Sequence, residues 1–263
     1  MNNQTVYDVD SCDMYEFMSH HVGISVLHPG GKKATTQLIE LLAIDKGKKV
    51  LEIGCGKGLT AIYLAKKYGC EVVGVDISKD WIEEANKLAQ EAGVSHLVSF
   101  QVNNACSLQF PENQFDTAIA QAVLVMVDDK DKIKVIQEVN RVLKSGGKSG
   151  WSELSWGSKP TEEFLTVAGK ETCSKGITNA MTFEGWEKLF IQGGVKELQL
   201  TRVMFHVRGL LGMVSDEGII NGIRIVVKFI MDSRIRARMR RLNAFFDKYP
   251  EYLGYGIYIG TKS

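Results

Sequence analysis

Between residues 49 and 154 short apolar runs alternate with segments of helical period, and this alternation limits the fold more than any other feature of the chain. Strands are predicted at 49–53, 71–76, 98–102, 115–121 and 148–154, and helices at 32–43, 58–68, 79–92 and 129–143. Strands this short and apolar, separated by helices, read as a parallel sheet covered on both faces. Its crossovers are right-handed, which gives a doubly wound arrangement. Residues 1–30 read as a short helix and a loop ending at Pro29-Gly30-Gly31. Beyond 155 the alternation weakens. Residues 157–180 read as an irregular insertion, followed by a helix at 183–192, a strand at 196–207, a basic helical stretch at 209–248 and a last strand at 255–260.

Length and charge exclude several classes. A chain of 263 residues fits one α/β domain with elaborations, or at most two small domains. A net charge of +1 supplies no global field toward nucleic acid. The exception is local: from Arg202 to Arg241 there are nine Lys/Arg and three Asp/Glu. The cysteines (Cys12, Cys55, Cys70, Cys106 and Cys173) form no CxxC pair and no Cys/His cluster of zinc spacing, so they read as reduced thiols and no metal is expected. The first twenty residues carry Asp8, Asp10, Asp13 and Glu16 but no Lys or Arg, unlike a signal peptide, and no run approaches the roughly 20 residues of a membrane span. The expected location is cytoplasmic.

The chemistry-bearing motif is Glu52-Ile53-Gly54-Cys55-Gly56-Lys57-Gly58, directly after a buried strand and at the start of a helix. Glycine there permits a tight turn and close approach of a ligand, while the helix N-terminus presents unpaired N–H groups. The spacing is G-x-G-x-G, and Leu59 stands where a dinucleotide cradle needs its third glycine. Glu52 would repel a pyrophosphate but suits a ligand bearing an ammonium and a sulfonium. The second predicted strand ends in Asp76, placed to accept both hydroxyls of a ribose.

With those residues in view, the chain resembles the class I methyltransferases that use S-adenosylmethionine, and within them the ubiquinone/menaquinone-biosynthesis type often called methyltransferase domain 11. Val50 to Gly58, Val73 to Ser78 and Asn104 to Asp116 are similar to three cofactor motifs in order, and the resemblance covers roughly residues 30–155. It implies an α/β fold: a doubly wound, Rossmann-like, seven-stranded and mostly parallel sheet with helices on both faces, an N-terminal lid and a helical insertion before the last strand. The chain is then one domain, with 1–30 as lid, 31–155 as cofactor-binding core and 156–263 as substrate-side elaborations. It also implies that Gly54, Cys55 and Gly56 line the methionine part of the cofactor, that Asp76 binds the ribose, and that Ile77 and Trp81 flank the adenine. Asn104 and the backbone at Ala105 would bond the adenine edge, and Gln121 would sit near the methyl. Asn104 stands where the family usually has Asp, which implies weaker binding, not its loss.

The expected activity is methyl transfer to a small-molecule acceptor. Such a transfer needs a general base only if the acceptor must lose a proton. His20, His21 and Glu153 are the candidates, against the ordinary reading of each as a packing or surface residue. Tyr7, Tyr15 and Trp156 are candidate acceptor contacts; Trp151 reads as core. The basic stretch around Ile220, Ile223, Val226, Val227 and Ile230 reads first as a solvated helix face. A basic amphipathic helix also suits a membrane surface or lipid-like substrate. A membrane-associated quinone or lipid methyltransferase and a non-catalytic cofactor-binding regulator are therefore the alternatives.

Overall fold

The apolar runs become strands because their branched side chains pack on a pleated surface that helices cover from both sides. In the computed structural model, which describes residues 8–204 and 216–263, these are β1 (Lys49–Ile53), β2 (Glu71–Asp76), β3 (Val98–Val102), β4 (Phe115–Gln121) and β5 (Leu143–Trp156). They pair in parallel in the order β3-β2-β1-β4-β5. The sheet continues through β8 (Leu253–Thr261) to β7 (Lys196–Met204), and β8 runs antiparallel to both its neighbours. The two-residue β6 (Met181–Thr182) pairs with the end of β5. The expected mostly parallel sheet is thus present.

The helices are α1 (Met14–Glu16, running on as a π-helical turn Phe17–Val22), α2 (Gly31–Leu42), α3 (Leu59–Tyr68), α4 (Lys79–Glu91), α5 (Asp129–Val142), α6 (Glu162–Thr172), α7 (Lys175–Thr178), α8 (Phe183–Gln192), α9 (Ile219–Met231) and α10 (Ser233–Lys248). Alternation along the strands sends successive side chains to opposite faces. Val50, Ile119 and Ile257 meet Leu38, Leu64 and Ile82 from α2, α3 and α4. Leu51, Ala118 and Tyr258 meet Ile136, Phe190 and Phe164 from α5, α8 and α6 on the other side.

Three expectations change. Residues 157–180 are helical, with the Thr161 hydroxyl capping α6 by accepting the Phe164 N–H at 3.1 Å. The segment packs through Phe164, whose ring lies against those of Trp156, Tyr249 and Tyr252. β5 runs two residues past its expected end, which carries Trp156 into that cluster, 5.3 Å from the Phe164 ring and perpendicular to it. The basic stretch is two helices broken at Asp232, whose carboxylate accepts the N–H groups of Arg234 (2.8 Å) and Ile235 (3.4 Å). The expected extension of β7 to 207 and the start of the basic stretch at 209–215 lie outside the described residues.

α9 and α10 hold the N-terminal segment in place. Arg238 is buried; its guanidinium donates to the carbonyls of Val9 and Cys12 and lies 4.5 Å over the Phe17 ring. Glu217 accepts the N–H groups of Ser25 (2.7 Å) and Val26 (3.1 Å), and Asn221 donates to the Gly23 carbonyl at 3.0 Å. Removing a buried donor of this kind leaves its acceptors unpaired. Arg238→Ala is expected to lower the unfolding free energy by about 2–4 kcal/mol in urea titrations, and Arg238→Lys to restore little of it, since a single ammonium lacks the fork that spans both carbonyls.

Candidate cofactor and acceptor site

At the carboxyl end of β1 the chain turns through Gly54, Gly56 and Gly58, all with positive φ (64, 50 and 71°). A Cβ on Gly54 would lie 2.7 Å from Val123 Cγ2, and one on Gly58 2.4 Å from the Phe100 ring, so the turn requires glycine on both conformational and steric grounds. Asp76, at the end of β2, holds this turn: its Oδ2 accepts the Gly56 N–H and its Oδ1 the Ser78 N–H, both at 2.9 Å. A carboxylate has about four acceptor sites, so each oxygen retains capacity for a ribose hydroxyl. Beside it Ile77 is 76% exposed and Trp81 is half-buried, two apolar surfaces at the mouth of the turn.

The loop after β3 meets this edge through Asn103, whose N–H donates to the Asp76 carbonyl at 2.9 Å. Asn104 is exposed, with Oδ1 accepting the Cys106 N–H at 2.9 Å, and Ala105 is half-buried. The structure therefore brings Gly54, Gly56, Gly58, Asp76, Ile77, Trp81, Asn104 and Ala105 to one edge of the sheet. Cys55 lies buried in the turn, and burial pushes its thiol pKa up, in keeping with a backbone contribution. The glycine turn, the spare acceptor capacity of Asp76 and the apolar flank fit an adenosyl ligand.

Glu52 has a local task that the sequence reading did not assign. Its buried carboxyl accepts the Ala61 N–H at 3.0 Å and so caps the first turn of α3. Burial pushes its pKa up to about 8, against the opposing pull of the Ala61 and Thr60 hydrogen bonds.

Gln121, at the end of β4, joins two regions. Its Oε1 accepts from the Thr60 hydroxyl at 3.4 Å, and its Nε2 donates to Thr35 Oγ1 at 3.0 Å. The same Nε2 lies 3.3 Å from His28 Nε2, which is 3.1 Å from Thr35 Oγ1. Burial depresses the His28 pKa to about 4, so its imidazole is neutral at pH 7. The sequence reading did not single out His28, which stands directly before the Pro29-Gly30-Gly31 helix start.

On the far side of His28 lies a cavity of about 290 Å³ between the N-terminal segment, α10 and β8, walled by Tyr15, Met18, Leu154, Met239, Leu242 and Phe246. Its polar and charged lining includes His28, Lys33, Asp216 and Asn243, with the tyrosines Tyr15 and Tyr255. A Cβ on Gly31 would lie 2.1 Å from the Asp216 carboxylate, and its φ of 57° also favours glycine there.

Tyr15 lines this cavity. Tyr7 lies outside the described residues. Trp156 is not brought to the cavity: it is 1% exposed and donates its indole N–H to the Ala180 carbonyl at 2.8 Å. Glu153 is also fully buried and absent from the cavity wall; its carboxylate gathers the N–H groups of Val123 (3.0 Å), Leu124 (2.9 Å) and Val125 (3.3 Å). Burial pushes it up to about 7 against those hydrogen bonds. Its placement makes it a shaper of the loop after β4. His20 is exposed, near Lys57 of the glycine turn and Glu84, while His21 lies 6.1 Å from the Phe17 ring. Neither lines the cavity, because this short segment turns Met14, Tyr15 and Met18 toward it instead. Both belong to the N-terminal segment, which approaches the glycine turn at His20.

Fold and site together fit an α/β protein with room for an adenosyl ligand at the glycine turn. The sequence model of the family described as "Methyltransferase domain" matches residues 50–147. The chain is similar to an uncharacterized protein of Haemophilus influenzae (31% identity over 234 residues, 88% of this chain and 90% of the relative). It is also similar to Methyltransferase GfsG of Streptomyces halstedii (28% over 195 residues, 74% and 69%). Among solved structures, phosphoethanolamine N-methyltransferase 2 of Haemonchus contortus, in complex with phosphomonomethylethanolamine and S-adenosylhomocysteine, superposes with a TM-score of 0.74 at 19% identity, over 95% of this chain and 56% of that one. The chain belongs to the class I methyltransferases, with S-adenosylmethionine as cofactor.

Two outcomes are expected. Asp76→Ala should weaken S-adenosylmethionine binding roughly 10- to 100-fold in calorimetric titrations, through loss of the anchor for Gly56 and of the spare acceptor capacity beside it. Glu52, with a folded pKa of about 8 raised from 4.5, binds a proton in the fold that the unfolded chain releases. Its contribution to stability is complete below pH 4.5 and is lost as pH rises through about 8. Glu52→Gln should flatten that decline and be the more stable form above pH 8 in thermal melts.

Proposed function

We propose that this methyltransferase acts on a small, predominantly apolar acceptor seated in the cavity beyond His28. The observation that carries this reading is the link of His28 to Gln121 at the cofactor edge on one side and to an apolar cavity on the other. When bound, S-adenosylmethionine supplies a methyl group on a sulfonium, a good leaving group. The protein's share is then to align the acceptor, exclude water and receive any proton the acceptor sheds. Tyr15, Met18, Leu242 and Phe246 provide the dry wall. His28, neutral at pH 7, is the group placed to take the proton, and the nearby Asp216 carboxylate favours the imidazolium so formed. His20 and His21 belong to the lid, and Glu153 acts through the shape of the loop after β4.

The Haemonchus contortus enzyme was solved with a phosphobase. Recognition of a phosphate calls for several cationic or N–H donors. Among the described lining residues Lys33 is the one cation, and Asp216 offsets it, which favours an apolar acceptor with a single hydroxyl or amine.

Release of S-adenosylhomocysteine is expected with phenolic or quinol acceptors and not with phosphoethanolamine; the reverse pattern would overturn the reading. With an active acceptor, His28→Ala should lower kcat at least roughly tenfold while leaving cofactor affinity within about threefold. His20→Ala and His21→Ala should stay near wild type.

A further inference from the structure

α9 is apolar almost all the way round. Ile225 and Gly222 are buried against the rest of the protein, with Val226 and Phe229 half-buried beside them. The opposite side is just as apolar yet open: Ile219, Ile220 and Met231 are 84, 72 and 80% exposed, and Ile223, Val227 and Ile230 are exposed between them. At about 100° per residue these side chains fall on one arc of roughly 120°. Arg224 and Lys228, both exposed, follow on one flank of the arc, and no Asp or Glu occurs anywhere in 219–231. Arg234 and Arg240 add exposed cations on α10.

A helix face of this composition requires a cover. We propose that α9 docks in the plane of an anionic phospholipid surface, with its isoleucine arc in the acyl boundary and Arg224 and Lys228 among the lipid phosphates. The charge pattern selects this occupant. A second copy of the chain would bring the same apolar arc with the same cationic flank and no acid from α9 to receive it, and like-charge contact disfavours a two-fold interface. An anionic bilayer satisfies both parts of the face. Thirteen residues give a helix about 20 Å long, too short to span a bilayer, and no helix among the described residues is long and apolar enough to cross one.

The inner side of α9 packs on the N-terminal segment, where Ile225 Cγ1 lies 3.9 Å from the position of a Cβ on Gly23. Neighbouring Met18 and Ile24 line the acceptor cavity. Docking would therefore set the cavity wall beside the bilayer. The docking itself rests on α9 and holds whatever the acceptor is.

The test is flotation of the full-length protein with vesicles of phosphatidylcholine alone and of phosphatidylcholine mixed with phosphatidylglycerol. Wild type should float with the anionic vesicles and stay in solution with the neutral ones. Ile223→Asp/Val227→Asp/Ile230→Asp should stay in solution with both. These side chains face solvent, so its circular dichroism and S-adenosylmethionine affinity should match wild type. Arg224→Ser/Lys228→Ser should bind anionic vesicles roughly 30-fold more weakly. Wild type that ignores anionic vesicles would overturn the proposal, as would a triple-Asp variant that floats like wild type. A wild-type dimer in size-exclusion chromatography that the triple variant dissociates would assign the face to a second copy instead.

Discussion

Three acidic side chains at the carboxyl ends of β1, β2 and β5 organise this protein by collecting backbone amides. Parallel strands that end together leave a row of loops whose N–H groups need acceptors once buried. Glu52 takes the Ala61 amide and aligns α3, Asp76 takes those of Gly56 and Ser78, and Glu153 takes those of Val123, Leu124 and Val125. The loops so fixed meet one another: Val123 packs into the space that Gly54 leaves by lacking a side chain. The cofactor turn is therefore shaped from three strands at once, and its glycines are demanded by neighbours as well as by φ.

The cavity beyond His28 is built on a different principle. It borrows one wall from the sheet, through Leu154, Leu253 and Tyr255, and completes the rest with the N-terminal segment and α10. Those two lie at opposite ends of the sequence and are joined by Arg238 and Glu217 acting on main-chain groups. Of the described cavity residues all lie outside 50–147, the part matched by the family, so the glycine turn and the cavity belong to separate stretches of chain. Gln121, inside the matched part, and His28, outside it, are where the two stretches touch.

Legibility in the sequence followed the range of the interaction. The strands at 49–53, 71–76, 98–102 and 115–121 and the helix at 183–192 were readable to the residue, because burial on both faces or on one helical stripe imposes a local period. The glycine turn and Asp76 were readable because a strand–turn–helix and the strand after it are near in sequence. Trp156 was misjudged because only the extra length of β5 and the packing of α6 decide that it faces an aromatic cluster. Glu153 was misjudged because the amides it collects come from a loop about thirty residues earlier.

The sequence by itself determined the alternating sheet, the class of cofactor and the glycine turn after β1, since those depend on neighbours within a few positions or a single crossover. The tertiary structure alone decided that His28 and not His20 or His21 meets Gln121, 93 residues away, that Arg238 serves Val9 across 229 residues, and that an apolar cavity lies between them. Contacts at such separations leave no period or spacing in the chain, because they are set by how finished elements pack.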